Sequence, residues 1–159
     1  TASGELFLLA NTITLFIVLF SKPLGGWLSD KVGRRRLMMV LTVAVMALIY
    51  PALRAMLFGA PASFLLGQIL VAVPIGMALG LQGAMVVEIF PLRSRVTSMS
   101  VAYSITLALA GGSAPLVSTW LIESLGHLLA PAYYIMLYGL LGLAIMWPMA
   151  ETNTRRLDE

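Results

Sequence analysis

Five apolar runs separated only by short charged clusters leave this chain of 159 residues few folds to choose from. A helix needs about 20 predominantly apolar residues to cross ~30 Å of hydrocarbon. The runs at 6–29, 37–53, 62–87, 96–122 and 131–149 all come close to that length or exceed it, and 62–87 contains no charged residue. Composition agrees: the chain is 60% hydrophobic and 11% charged, against about 45–50% and about 25% in an ordinary soluble domain. The expected fold class is therefore all-α, a polytopic membrane helix bundle with five spans within 1–150 and a polar tail at 151–159.

The charges fix the expected topology. Lys22, Lys31, Arg34, Arg35, Arg36, Arg93, Arg95, Arg155 and Arg156 fall on one side of such a bundle, and only Arg54 falls on the other. Positive loops stay in the cytoplasm, so the C-terminus is expected there and, with an odd number of spans, Thr1 outside. A natural protein rarely begins that way, and the chain starts without a Met; at least one preceding span is expected. The net charge of +3 would suggest nucleic acid in a soluble protein, but these cations flank apolar spans, so a lipid bilayer is the expected partner and nucleic acid is not.

Several chemistries are excluded. There is no cysteine, and His127 is the single histidine, so neither a disulfide framework nor a metal-binding cluster is available and no cofactor is expected. An intramembrane protease would need a Ser/His, paired-Asp or metal arrangement within the spans, and no carboxylate pair lies at membrane depth. An enzyme is not expected.

The most specific motif is the basic hairpin Gly26-Trp27-Leu28-Ser29-Asp30-Lys31-Val32-Gly33-Arg34-Arg35-Arg36. Gly26 and Gly33 suit a tight turn between closely packed helices. Asp30 is the odd residue, a lone carboxylate among cations, suited to accept hydrogen bonds from Arg or to sit on a helix N-terminus. A second set, Glu88-Ile89-Phe90-Pro91-Leu92-Arg93-Ser94-Arg95, lies on the same side. Two readings stand for these charges: pairing between the two hairpins at the low-dielectric membrane edge, or snorkelling to headgroups.

The spacing Gly-x-Leu-x-Asp-Lys-x-Gly-Arg-Arg resembles the hairpin that recurs in the major facilitator superfamily of secondary transporters, and Glu88 to Arg95 is similar to the Glu-x6-Arg element that accompanies it. Glu88-Ile-Phe-Pro91-x-Arg93-x-Arg95 followed by Tyr103 further resembles the metabolite:proton symporter branch, which includes α-ketoglutarate, citrate, shikimate and proline/betaine permeases. The resemblance implies twelve helices in two halves, with the five spans here matching helices eight to twelve and the N-terminal helices lying outside the chain. It implies alternating-access symport of a small organic acid or zwitterion with protons, in the cell membrane. It also implies that Asp30, Arg34, Arg35, Glu88 and Arg95 form a cytoplasmic charge network that steadies the outward-facing state. Ser104 departs from the branch, which often has Asn after the Tyr.

Substrate in such transporters binds near mid-membrane, where intramembrane polar residues are the candidates. Gln68 and Gln82, fourteen residues apart, project from nearly one face of a helix. They suit either an interhelical hydrogen bond or a cavity wall, and Asn11, Tyr103 and Ser104 are candidates of the same kind. Thr12, Thr14, Thr106 and Ser113 say less, because such hydroxyls bond their own helix. Gly76, Gly80 and Gly83 are expected to form a packing ridge. Lys22 suits either an anionic substrate or snorkelling. No Asp, Glu or His lies near the middle of a span, so a proton carrier is expected in the helices outside the chain. Pro74 and the Gly111–Pro115 break are expected flex points.

Overall fold

The computed structural model describes residues 2–58, 60–89 and 94–149, with side chains at all of these except 2, 3, 6, 61 and 87–89. They form α1 (Ala2–Val32), α2 (Arg34–Phe58), α3 (Pro61–Ile89), α4 (Arg95–Thr106), a π-helical turn (Leu107–Gly111), α5 (Gly112–Leu125) and α6 (Ala130–Met146). Among the described residues four stretches are long and apolar enough to cross a membrane: Phe7–Val32, Arg34–Phe58, Ala62–Val86 and Arg95–Leu125, the last running unbroken through α4, the π-helical turn and α5. Helix α6 is apolar but shorter, at 17 residues.

The turn expected over 26–36 shrinks to one residue. Nothing between Trp27 and Val32 breaks a helix, so α1 continues to Val32 and Gly33 alone, at φ 102°, reverses the chain. The Gly33 amide donates to the Ser29 carbonyl at 2.9 Å, and the Gly33 carbonyl accepts from the Leu37 amide at 3.0 Å to open α2. A left-handed residue costs any side chain with a Cβ roughly 1–2 kcal/mol, which glycine does not incur. Gly26 lies inside α1 and takes no part in the turn.

Helix α3 is the hub. α1 runs parallel to it in constant register: Phe7 meets Phe64 edge-on at 4.8 Å, the Thr14 hydroxyl bonds the Gln68 side chain at 3.0 Å, and Ser21 lies against Gly76. α2 runs antiparallel to α3, with Leu37 and Leu41 against Leu81 and Met85 near one end, and Ile49 and Ala52 against Val71 towards the other. α6 runs antiparallel to α2, Met46 facing Gly139 and Tyr50 lying 6.4 Å from Tyr133. The helices thus alternate in direction, which brings Asp30, Lys31, Arg34, Arg35, Arg36 and Arg95 to one end of the bundle.

Small residues decide how closely these helices meet. A Cβ on Gly80 would strike the Lys22 carbonyl, one on Gly25 the Met77 carbonyl, and one on Gly76 would lie 2.7 Å from the Ser21 Cβ. Backbone therefore rests on backbone along α1 and α3, the contact that small residues allow between membrane helices. Gly83, expected in the same ridge, has nothing within 4 Å. No residue of α4, the π-helical turn or α5 is buried.

The π-helical turn has a local cause. Pro115 has no amide hydrogen to give the Gly111 carbonyl four residues earlier, and its ring crowds that oxygen. The register widens just before it, over Leu107–Gly111, where the glycine pair offers least resistance.

Candidate functional site

The charged end of the bundle is built around the Gly33 reversal. Asp30, on the last turn of α1, and Arg34, on the first turn of α2, approach to 3.4 Å across it. Asp30 is 64% exposed and Arg34 17%. A pair this open to solvent contributes about 0.2–1 kcal/mol, enough to bias a conformational equilibrium but not to hold the fold. Lys31 lies over the Trp27 ring at 3.8 Å from its centroid, and the buried Ser29 hydroxyl bonds the Gly26 carbonyl at 2.6 Å.

Arg35 does something the sequence did not reveal. Its Nε donates to the Met146 carbonyl at 2.9 Å and its Nη2 to the Trp147 carbonyl. These carbonyls lie at the end of α6, where the Met149 amide also donates to the Met146 oxygen at 3.2 Å; a cation there meets the negative end of the helix dipole. Arg35 thereby ties the start of α2 to the end of α6, across more than a hundred residues of sequence. The only sequence signal was an arginine at a helix start, where its charge is unfavourable unless something compensates.

Arg95 opens α4 at the same end, and the backbone of Glu88 lies in the last turn of α3. The Glu88 side chain falls outside the described residues, so its expected pairing with Arg95 does too.

The cavity candidates separate into two groups. Gln68 bonds Thr14 between α3 and α1, which is the interhelical reading of that residue. Gln82 and Tyr103 come together on opposite walls of a groove of about 420 Å³ between α3 and α4, with Leu79, Val86, Thr106 and Leu107. Tyr103 is 57% exposed. Asn11 and Ser104 are exposed, and neither lines that groove. Thr12 and Ser113 bond their own helices, to the Leu8 and Leu109 carbonyls. Gln82 also borders a wholly different space of about 490 Å³ between α2, α3 and α6, lined chiefly by Met38, Met46, Ile75 and Ile145. Among the described residues no group of three His, Cys, Asp or Glu could hold a metal ion.

Sequence comparison places this architecture among known proteins. The chain is 31% identical over 150 residues to the ectoine/proline transporter ProP of Corynebacterium glutamicum, covering 93% of this chain and 30% of that protein. It is 31% identical over 154 residues to the proline/betaine transporter of Escherichia coli, 97% and 30% respectively. It is 35% identical over 136 residues to the citrate-proton symporter of Klebsiella pneumoniae, 82% and 30% respectively. The chain thus spans about a third of the length of these curated relatives. No solved structure matches it. The profile of the Major Facilitator Superfamily matches residues 1–158. With that profile covering nearly all of the chain and its helices laid out as described, the chain belongs to the Major Facilitator Superfamily of membrane transporters.

Proposed function

We propose that this chain forms helices eight to twelve of a twelve-helix symporter that moves a small carboxylate-bearing metabolite, an organic acid or a zwitterion, together with protons. The relatives named for proline, betaine, ectoine and citrate support that substrate class, and each of those compounds carries a carboxylate. On this reading residues 1–150 are part of the C-terminal transmembrane domain of a multi-pass cell-membrane protein, the charged end faces the cytoplasm, and 151–159 is a cytoplasmic tail. The helices outside the chain supply the proton carrier and the second wall of the cavity.

The observation that carries the mechanism is the pair Asp30–Arg34 bridging a one-residue hinge. A weak pair across a reversal at Gly33 suits a latch, because it must form and break in every cycle. Alternating access needs states that differ by only a few kcal/mol, and a bond of about 0.2–1 kcal/mol fits that scale. In one state the charged ends of the two halves meet and the latch is closed; when that side opens, Asp30 and its arginines change partners. Gln82 and Tyr103, deeper in the bundle, then face the substrate path. The wide, proline-bounded turn before Pro115 gives the helix carrying Tyr103 a place to bend.

Uptake by cells expressing the complete coding sequence tests the latch. Asp30→Asn and Arg34→Ala are each expected to lower initial uptake by up to about fivefold at unchanged surface expression, the equivalent of about 1 kcal/mol. Wild-type uptake by both variants would overturn the gating role. The short span relative to the relatives also favours a second expectation: the 159 residues alone, having one wall of the cavity, move no substrate.

A further inference from the structure

Lys22 is the one charged side chain in the interior of any of the five apolar runs. It lies eight residues before Asp30, about 12 Å along the helix axis from the charged end, and so near the middle of a hydrocarbon layer ~30 Å thick. A lysine at that depth is costly even by the most lenient scale. Snorkelling does not relieve it easily, because side chains on an α-helix tilt toward its N-terminus, which on α1 is away from the charged end and toward the membrane centre.

The backbone at Lys22 is held. Gly80 of α3 rests on the Lys22 carbonyl, and Gly76 and Met77 hold Ser21 and Gly25 on either side. Pro23 follows immediately and has no amide hydrogen for the Leu19 carbonyl, leaving a second polar group at this level. The backbone that carries this cation is therefore fixed in position, and no carboxylate among the described residues pairs with it.

Its direction follows from helix geometry. The stripe of α1 that meets α3 is Thr14, Val18, Ser21 and Gly25. Lys22 and Asn11, eleven residues or about three turns apart, share the flank one step beyond that stripe, and both are exposed. On α3, Leu79 stands one step before the α1-facing Gly80 and lines the groove with Gln82 and Tyr103. Since α1 and α3 are parallel and both right-handed, these two flanks open to the same side of the pair. Lys22 and Asn11 thus project from the side of the α1–α3 pair on which Leu79 borders the groove of Gln82 and Tyr103, so a molecule passing along that side would meet the Lys22 ammonium.

We propose that Lys22 is the anion-binding post of the transport path, its ammonium taking the carboxylate of the transported metabolite at mid-membrane. The proposal rests on the transporter reading above and adds to it the residue that selects for a negative charge. A lipid-facing lysine would serve no such purpose, and the two are separable by experiment.

In cells expressing the complete coding sequence, Lys22→Gln is expected to raise KM for the transported carboxylate about tenfold to a hundredfold, the equivalent of one lost charge-assisted hydrogen bond, while Lys22→Arg stays within about threefold of wild type. The wild type should be inhibited by the carboxylate and hardly by its neutral amide, and Lys22→Gln should lose that discrimination. A Lys22→Cys variant in a cysteine-free background should react with a hydrophilic, positively charged thiol reagent and be protected by the carboxylate, whether or not it transports. Unchanged KM and discrimination in Lys22→Gln, or a thiol that is unreactive or unprotected, would overturn the role of Lys22 while leaving wild-type transport intact. Wild-type cells that take up no carboxylate would overturn the transporter reading itself.

Discussion

Gly80 and Gly83 stand three residues apart on one helix and do different work. A Cβ on Gly80 would enter the Lys22 carbonyl, whereas one on Gly83 would meet nothing within 4 Å. Backbone cannot step aside as a flexible side chain can, so Gly80→Val is expected to cost about 3 kcal/mol, the upper end for an overpacked site. Gly83→Ala should be neutral or gain up to about 1 kcal/mol of helix propensity. Thermal unfolding of the detergent-solubilised protein, followed by size-exclusion profile, distinguishes the two; equal effects would show that the α1–α3 contact is looser than described. At this scale the sequence was a partial guide. The expectation of a glycine ridge holds for Gly76 and Gly80, but nothing in the spacing set Gly83 apart, or identified Gly25 as the residue on α1 that complements the ridge. Which glycine faces a neighbour depends on where that neighbour sits. The same limit applies to Gln68 and Gln82, alike in sequence: one bonds Thr14 and the other borders a groove.

Elements are where the sequence was most legible. Apolar runs bounded by charge reported the helices directly, because only a helix satisfies its own backbone in hydrocarbon. Their ends were less legible: α1 runs past the expected boundary to Val32, since no helix breaker stands between Trp27 and Val32 and, in this hairpin, only Gly33 takes a left-handed angle. The link from Arg35 to the end of α6 was invisible, because it joins distant segments and follows no local pattern. Removing it in Arg35→Ala should speed hydrogen exchange of the amides in the last turn of α6, with Arg35→Lys giving an intermediate effect, as a point charge replaces a two-pronged donor. Unchanged exchange in Arg35→Ala would show that α6 holds its end without help. The π-helical turn makes the converse prediction. Pro115→Ala restores the amide that the Gly111 carbonyl lacks, so the helix should become regular and more stable, while uptake falls because a bending point has been lost. A variant that is both more stable and equally active would remove the turn from the mechanism.

As a whole, the molecule is poor in internal burial and rich in uncovered apolar surface. The long stretch Arg95–Leu125 has none of its residues buried, and among the described residues two small clusters form the core, both at the contact between α2 and α3, the second joined by Ala132 of α6. Lipid accounts for part of the uncovered surface, and the proposed remaining helices would cover the groove lined by Gln82 and Tyr103 and the flank of α1 that carries Lys22. Transport is thus a property proposed for the complete protein, and its most direct measurement is uptake of labelled proline, betaine, ectoine and citrate into proteoliposomes containing that protein, with and without an imposed proton gradient. Concentrative uptake of at least one of the four, dependent on the gradient and collapsing with a protonophore, is the expected result. Absence of uptake for all four, or uptake indifferent to the gradient, would contradict it.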